Sequence, residues 1–299
     1  MDVDWRRPRE VDRDALTRFD LAVRRVDGDQ RIVDAVARLF AADHAVAAWA
    51  ADGEVVAAGS VTGTTLRGAV HPAARGRGLG HRLLAWSEAH APADAAELVI
   101  RSESLTPDAE GLYARAGYRP AMVERRMVLD LAAVPVPQPA AAPRGVELEA
   151  WSDGTAGLFF AAYRAAFAGR PGFPDPPAGD WIGEHAGPGF QPQLSAVAIA
   201  AGQPVAFVTV ELEDGVGWID QIGVAPDARR SRLATALVDH ALAGLRDAGA
   251  GRAMLHVNEN NPPARALFAR RGFTTDLRRG RFVRVRAPSP PAAGRPDGR

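Results

Sequence analysis

Apolar and polar positions along the chain pass through the same succession of periods twice. Between Asp14 and Asp43, Leu16, Phe19 and Leu21, then Ile32, Val36 and Leu39, recur at helical spacing. "HAVAAWA" and "EVVAAGSV" flank Asp52-Gly53 and read as a hairpin. "TTLRGAV" is the next strand. A glycine-rich turn then leads into a helix with Leu79, Leu83 and Trp86 on its buried side. "ELVIRS" reads as a strand, Ala109–Ala116 as a helix and "ERRMVLDL" as the last strand of the first half.

The second half follows the same order. Leu158, Phe159, Ala162 and Phe167 mark a helix over Thr155–Ala168, and "LSAVAIA", "PVAFVTVEL" and "GVGWIDQIGV" form a meander. A helix follows with Leu233, Leu237 and Ala241 on one face. The strand "AMLHVN", a helix over Pro263–Arg271 and the strand "RFVRVRA" complete the half. Val70, Pro72 and Arg75 match Val224, Pro226 and Arg229 at an offset of 154, and "GLYARAGY" matches "ALFARRGF" at 155. A repeat of this length is a duplicated domain rather than a solenoid unit. Each copy is expected to be α+β, with a mixed, mostly antiparallel sheet flanked by helices. The expected boundaries are 1–131 and 145–286, joined by a Pro/Ala-rich linker over 132–144 and followed by a disordered tail over 287–299.

The chemistry concentrates at one junction. In "VHPAARGRGLGHRLL" a strand ends at Val70, and Gly76, Gly78 and Gly80 precede or open a helix. The first N–H groups of a helix lack partners within it, and the helix dipole adds positive charge there. Glycines allow close approach of a ligand, and Arg75 and Arg77 add cations, so the turn suits a diphosphate. A tight turn that binds nothing is the plain alternative. The 36 basic residues are all arginine, so a Walker-type Gly-Lys-Ser/Thr loop is excluded. The glycine spacing also departs from the G-x-G-x-x-G dinucleotide fingerprint.

At this point the chain resembles the GCN5-related N-acetyltransferase (GNAT) family, whose Q/R-x-x-G-x-G/A signature stands here as Arg75-Gly76-Arg77-Gly78-Leu79-Gly80. "LHVNENNPPARALFARRGF" resembles that family's second signature. The resemblance covers nearly the whole chain twice, as two tandem GNAT-like domains. It implies acetyl-CoA as acyl donor, held by Val70 and the first turn. In the second half it implies Val224 and Arg229-Arg230-Ser231-Arg232-Leu233-Ala234, with Asn258 and Asn261 along the pantetheine arm. Arg232 stands where the first glycine belongs. Either it obstructs the diphosphate, or its backbone stays helical and its guanidinium adds a phosphate contact. The resemblance also implies a backbone N–H for the thioester oxygen at about Val70-His71 or Val224-Ala225.

Two catalytic candidates follow, one in each half. Tyr113 occupies the general-acid position of the first half, where the second has Phe268. Asp220 occupies the carboxylate position of the second, where the first has Leu66. Each also has a bland reading, Tyr113 as core and Asp220 as a turn cap or arginine partner. Asp220, Asn258 and the loop "FAGRPGFPDPPAGDW" over an acceptor site tilt the expected chemistry toward the second domain. The expected reaction is transfer of an acyl group, most simply acetyl, to the amine of a small molecule. A non-catalytic acyl-CoA sensor and an aminoacyl-tRNA-dependent transferase are the alternatives.

The composition limits the rest. Net charge is zero, so no global field favours nucleic acid or an anionic membrane. Cysteine is absent, which excludes thiol nucleophiles, and the histidines lack ligand spacing, so no metal is expected. His71 and His256 near the two turns are expected to be surface or packing groups. No signal peptide or membrane span is expected, which fits a cytoplasmic monomer or homodimer.

Overall fold

A computed structural model of the protein describes residues 3–28, 35–133, 142–170, 175–185 and 187–286. The central part of the expected linker, the expected tail, Ile32 and the Pro171–Pro174 part of the acceptor loop lie outside the described residues. The chain forms two compact units. Unit 1 comprises 1–125, 258–260 and 276–299, and unit 2 comprises 126–257 and 261–275.

In unit 1, β1 (Asp4–Arg6) is followed by α1 (Arg13–Asp27), α2 (Ala35–Ala41), β2 (His44–Trp49), β3 (Val55–Thr62) and β4 (Thr65–Val70). Then come α3 (Leu79–His90), β5 (Glu97–Ser102), α4 (Pro107–Arg115) and the first part of β6 (Arg119–Asp130). Strands β1 to β4 pair antiparallel in chain order, and β4 pairs parallel to β5. Leu16, Phe19 and Val23 bury one side of α1, whereas Leu21 is 56% exposed. Leu21 lies two residues past Phe19, about 200° further around the helix, so it falls on the outer face.

In unit 2, β7 (Val146–Ala150), α5 (Ala156–Phe167), α6 (Ala178–Glu184), β8 (Ala196–Ala200), β9 (Gln203–Glu213) and β10 (Val216–Val224) come first. They are followed by α7 (Leu233–Asp247), β11 (Arg252–Asn258) and α8 (Pro262–Arg270). Strands β7 to β10 pair antiparallel, and β10 pairs parallel to β11. Leu233, Leu237 and Ala241 of α7 are all buried, as the helical spacing predicts. Two strands and a helix escaped the sequence pattern. β1 and β7 are short, and α6 starts directly after Pro177 inside a Pro/Gly-rich stretch.

The last strand of each repeat departs from the expected boundaries. β12 (Thr274–Val285) pairs antiparallel with β5, and Phe282 packs in the unit 1 core beside Leu98, Ile100 and Tyr118. The second part of β6 lies beside β11, and Met127, Leu129 and Leu131 join the unit 2 core with Leu237 and Leu242. Each sheet therefore closes with a strand from the other half of the chain. Apolar and arginine residues intermix in both strands, so their patterns do not reveal the exchange.

Phe282 is 2% exposed although it lies near the C-terminal end of the described chain. Phe282→Ala is expected to destabilise unit 1 by about 3–5 kcal/mol in urea unfolding of the full chain. Val285→Ala, at a position that is 77% exposed, is expected to leave the curve within about 0.5 kcal/mol of wild type.

Candidate active site

The two signature turns have the same backbone. Pro72–Ala74 and Pro226–Ala228 each form a 3₁₀ turn after the strand. Arg75 (φ −66°, ψ 161°) and Arg229 (φ −66°, ψ 159°) are both extended. Gly76 (φ 73°) corresponds to Arg230 (φ 64°). Gly78 (φ 80°, ψ −4°) corresponds to Arg232 (φ 67°, ψ 7°), and each caps its helix. Arg232 therefore does not adopt the right-handed helical conformation considered above. It takes the left-handed conformation of the glycine it replaces, at a cost of about 1–2 kcal/mol for a residue with a Cβ.

The arginine that opens each signature is a pin. Arg75 Nε donates to Val70 O at 3.2 Å, and Arg229 Nε donates to Val224 O at 3.3 Å. The remaining guanidinium nitrogens of Arg75 grip both carboxylate oxygens of Asp27 at the end of α1. Arg75 thus shapes the turn, while Arg77 is exposed. Gly80 has a packing role as well, since a Cβ there would meet Leu112 Cδ2 at 3.2 Å. Leu79 and Leu233 anchor their helices in the cores, at 3% exposure each. Ser231 Oγ donates to Ala228 O, and Ala234 is half-buried.

The strands above the turns part company. β4 and β5 pair only at Thr65–Val99 and Leu66–Ile100, and β10 and β11 only from Val216–Arg252 to Ile219–Leu255. His71 N–H donates to Val56 O at 2.9 Å, and the next pair of the ladder is Ala57–Val70. Antiparallel residues alternate between bonding their partner and facing away. The Val70 N–H therefore points into the gap beside β5. The same holds for Val224, because Ala225 N–H is bonded to Val205 O at 2.8 Å and Val224 pairs with Ala206. Of the four N–H groups expected to face a thioester oxygen, those of His71 and Ala225 are already bonded.

In unit 1 these features surround a cavity of about 650 Å³. Val70, Arg75, Gly76, Gly78, Leu79 and Gly80 line one part of it, and Tyr113 lines another. Burial pushes the pKa of the Tyr113 hydroxyl upward, and a side-chain hydrogen bond with Ser102 offsets part of that rise. Tyr113 also packs on Phe282, with ring centroids 5.1 Å apart. Leu66 is buried in the core, so no carboxylate stands at that strand position.

Unit 2 arranges its site differently. Asp220 is the extra residue of a β-bulge between Ile219–Val210 and Gln221–Thr209. Bulges re-aim side chains. Asp220 Oδ2 lies 3.9 Å from Nε2 of the buried His185. His185 Nδ1 lies 2.8 Å from Trp181 O, which can only accept, so the proton sits on Nδ1 and Nε2 faces Asp220 without a hydrogen-bond partner. The facing pair Ala58–Ala69 lines the unit 1 cavity. The corresponding pair in unit 2 is Phe207–Gly223, where Phe207, Phe167 and Ala166 crowd the space a Gly223 Cβ would need.

The asparagines have local partners. Asn258 Oδ1 accepts from Asn260 N at 2.8 Å, and Asn261 Oδ1 caps α8 at Ala264 N at 3.3 Å. Phe268 is core, at 3% exposure. His71 Nδ1 accepts from Ala73 N, and His256 stacks on Trp218, so both are structural. Sequence reasoning missed Asp27 and His185. The available signal for His185 was its i, i+4 spacing from Trp181, hidden by reading the segment as a loop. Among the described residues no group of three or more His, Asp or Glu is placed to hold a metal, and no helix is long and apolar enough to cross a membrane.

A sheet that opens over a helix N-terminus, with a protonated tyrosine facing the opening, is the framework of an acyl-CoA-dependent N-acyltransferase. Comparison with known proteins agrees. A model of the acetyltransferase (GNAT) family matches residues 158–273, and one of the acetyltransferase (GNAT) domain matches residues 36–120. The chain is 34% identical over 220 residues to a mycothiol acetyltransferase of Salinispora tropica, covering 71% of this chain and 70% of that one. It is 33% identical over 279 residues to a mycothiol acetyltransferase of Kineococcus radiotolerans, covering 87% and 89%. A solved GCN5-related N-acetyltransferase from Sphaerobacter thermophilus superposes with a TM-score of 0.73 at 26% identity, over 95% of each chain. A tandem GNAT protein from the clavulanic acid biosynthesis pathway shares the fold, with a TM-score of 0.60 at 19% identity. The chain belongs to the GNAT family. It is a tandem-domain N-acetyltransferase that uses acetyl-CoA as donor.

Because Arg232 holds a glycine conformation, Arg232→Gly is expected to stabilise the protein by about 1 kcal/mol, the relief of left-handed strain less the added chain entropy. Thermal unfolding checks this. A lower midpoint would mean that the arginine side chain contributes more than its backbone costs.

Proposed function

We propose that the protein acetylates the amine of a small molecule, with acetyl-CoA bound and used in the unit 1 cavity. The observation that carries this reading is the convergence on one cavity of the glycine turn, the splayed end of β4 and Tyr113. The donor diphosphate would lie on the N–H groups at Gly76–Gly80. The amine attacks the thioester carbon, and the oxygen that gains charge accepts from Val70 N–H. Asp20 and Glu103 also line the cavity, ion-paired with Arg24 and Arg67, and their remaining lone pairs can take the amine proton through water. As the carbon–sulfur bond breaks, the Tyr113 hydroxyl gives its proton to the leaving thiolate. The relatives' name makes a mycothiol-type acceptor one small molecule to assay.

A second reading places chemistry in unit 2, with Asp220 as the base. The bulge at Asp220 and its neighbour His185 favour it, whereas the crowding at Phe207–Gly223 and the cap at Arg232 favour unit 1.

Calorimetric titration with acetyl-CoA is expected to give one site per chain, lost in Gly78→Arg and kept in Asp220→Asn. Two sites of similar affinity would support the second reading. Tyr113→Phe is expected to lower kcat by about 10²-fold with acetyl-CoA binding unchanged. The pKa of Tyr113 is raised, so the group stays protonated through neutral and mildly alkaline pH. No loss of kcat from its ionisation is expected across that neutral to mildly alkaline range. Wild-type turnover in Tyr113→Phe would return the residue to a packing role.

A further inference from the structure

The unit 1 cavity has one corner that its own charges do not complete. Arg38 of α2 and Arg67 of β4 both line it. Arg67 and Ala69 alternate along β4 on the face that Leu16 and Phe19 of α1 cover, since Ala69 packs against that cluster. The carboxylates around this corner already have arginine partners. Glu103 binds Arg67 at 3.1 Å, Asp20 binds Arg24 at 2.7 Å, and Asp27 binds Arg75. Asp108, also on the cavity wall, sits in the first turn of α4, where the helix N-terminus favours its charge.

Arg38 is left over. It is half-buried and makes no hydrogen bond or ion pair with any described residue. Burial lowers its pKa, and the positive charge of Arg67 adds to that, with Glu103 acting the other way. Arginine nonetheless keeps its charge at any physiological pH. Among the described residues this partly desolvated guanidinium has no hydrogen-bonded partner, which is costly, and an entering anion would relieve that cost through charge-assisted, geometrically specific hydrogen bonds.

We infer that the acetyl acceptor carries an anionic group, a carboxylate or a phosphate, in addition to its amine, and that Arg38 with Arg67 selects for it. The inference rests on the reading that acyl transfer takes place in this cavity. In that reading the turn and Val70 serve the donor, and the corner at Arg38 serves the acceptor. A neutral or purely cationic amine would leave Arg38 without a bonded anion among the described residues, and a cationic one would bring a second positive charge beside it.

The test uses the full-length protein, acetyl-CoA and paired amines, with release of CoA as readout. One set compares α-amino acids with their carboxamides, and the other compares glucosamine 6-phosphate with glucosamine. Within at least one set the anionic member is expected to show at least a tenfold higher kcat/KM, and the set that discriminates identifies carboxylate or phosphate. Arg38→Gln is expected to erase the difference through KM, with kcat held, and Arg38→Lys to restore part of it. Neutral amines used as well as or better than their anionic partners, no turnover of any anionic amine, or a preference that survives Arg38→Gln would overturn the inference. If Arg38→Gln does not fold, the wild-type comparison decides alone. Titration with acetyl-CoA tests the reading beneath separately. Acetyl-CoA bound at the unit 1 turn without an anionic preference defeats only the acceptor class, while absence of binding there defeats both.

Discussion

Strands β4 and β5 pair at two positions and then separate, and the unit 1 site depends on that separation. A buried backbone N–H or C=O needs a partner. When the strands part, the groups of Val70 that face the gap lose the neighbour that would otherwise bond them. One is answered from within, since Val70 O accepts from Arg75. The other, Val70 N–H, is directed into the cavity, where a developing oxyanion could use it. The same opening lets the N-terminus of α3 and the hydroxyl of Tyr113 approach one space. A fully paired sheet would close that space with its own hydrogen bonds.

The turn beneath the opening is held by more than its glycines. Unit 2 keeps both left-handed positions with Arg230 and Arg232 in them. The 3₁₀ turn after proline, the arginine pinned to the last strand carbonyl and the buried leucine that opens the helix are common to both units. These contacts over-determine the backbone path, so strain at one or two residues is tolerated. Glycine contributes low strain and open space above the backbone at Gly76 and Gly78, where a Cβ would meet nothing within 4 Å. An arginine accepts the strain and adds an exposed, charged side chain at that position. The two units thus share a backbone and differ in the side chains that it carries.

Much of the site was legible because its signals are local. A strand, a proline, an arginine and alternating glycines at a helix start are a contiguous pattern, and the structure places them on one cavity wall. Leu79, Leu83, Leu233 and Leu237 followed directly from helical period. Leu21 did not, because single apolar residues also occur on outer faces. The ion pair of Arg75 with Asp27 joins residues 48 apart, so an arginine expected to serve a ligand serves the fold instead. His185 was hidden because α6 is short and starts at a proline in a stretch that reads as loop. The contrast between Ala58–Ala69 and Phe207–Gly223 depends on strand register, which decides what fills or empties each pocket.

The sequence alone determined the duplication, the order of elements in each half, the mostly antiparallel sheets and the position of the signature turns. Those features are set by local period, turn chemistry and motif spacing. The tertiary structure decided which sheet receives each closing strand, which N–H groups face the gaps and which side chains stand beside each turn. β6 and β12 offer similar mixtures of apolar and arginine positions to edges of similar form, so nothing local distinguishes one pairing from the other. The outcome is settled by contacts far apart in sequence, such as Phe282 against Leu98 and Leu129 beside Leu237. Such contacts form only when the whole core is assembled.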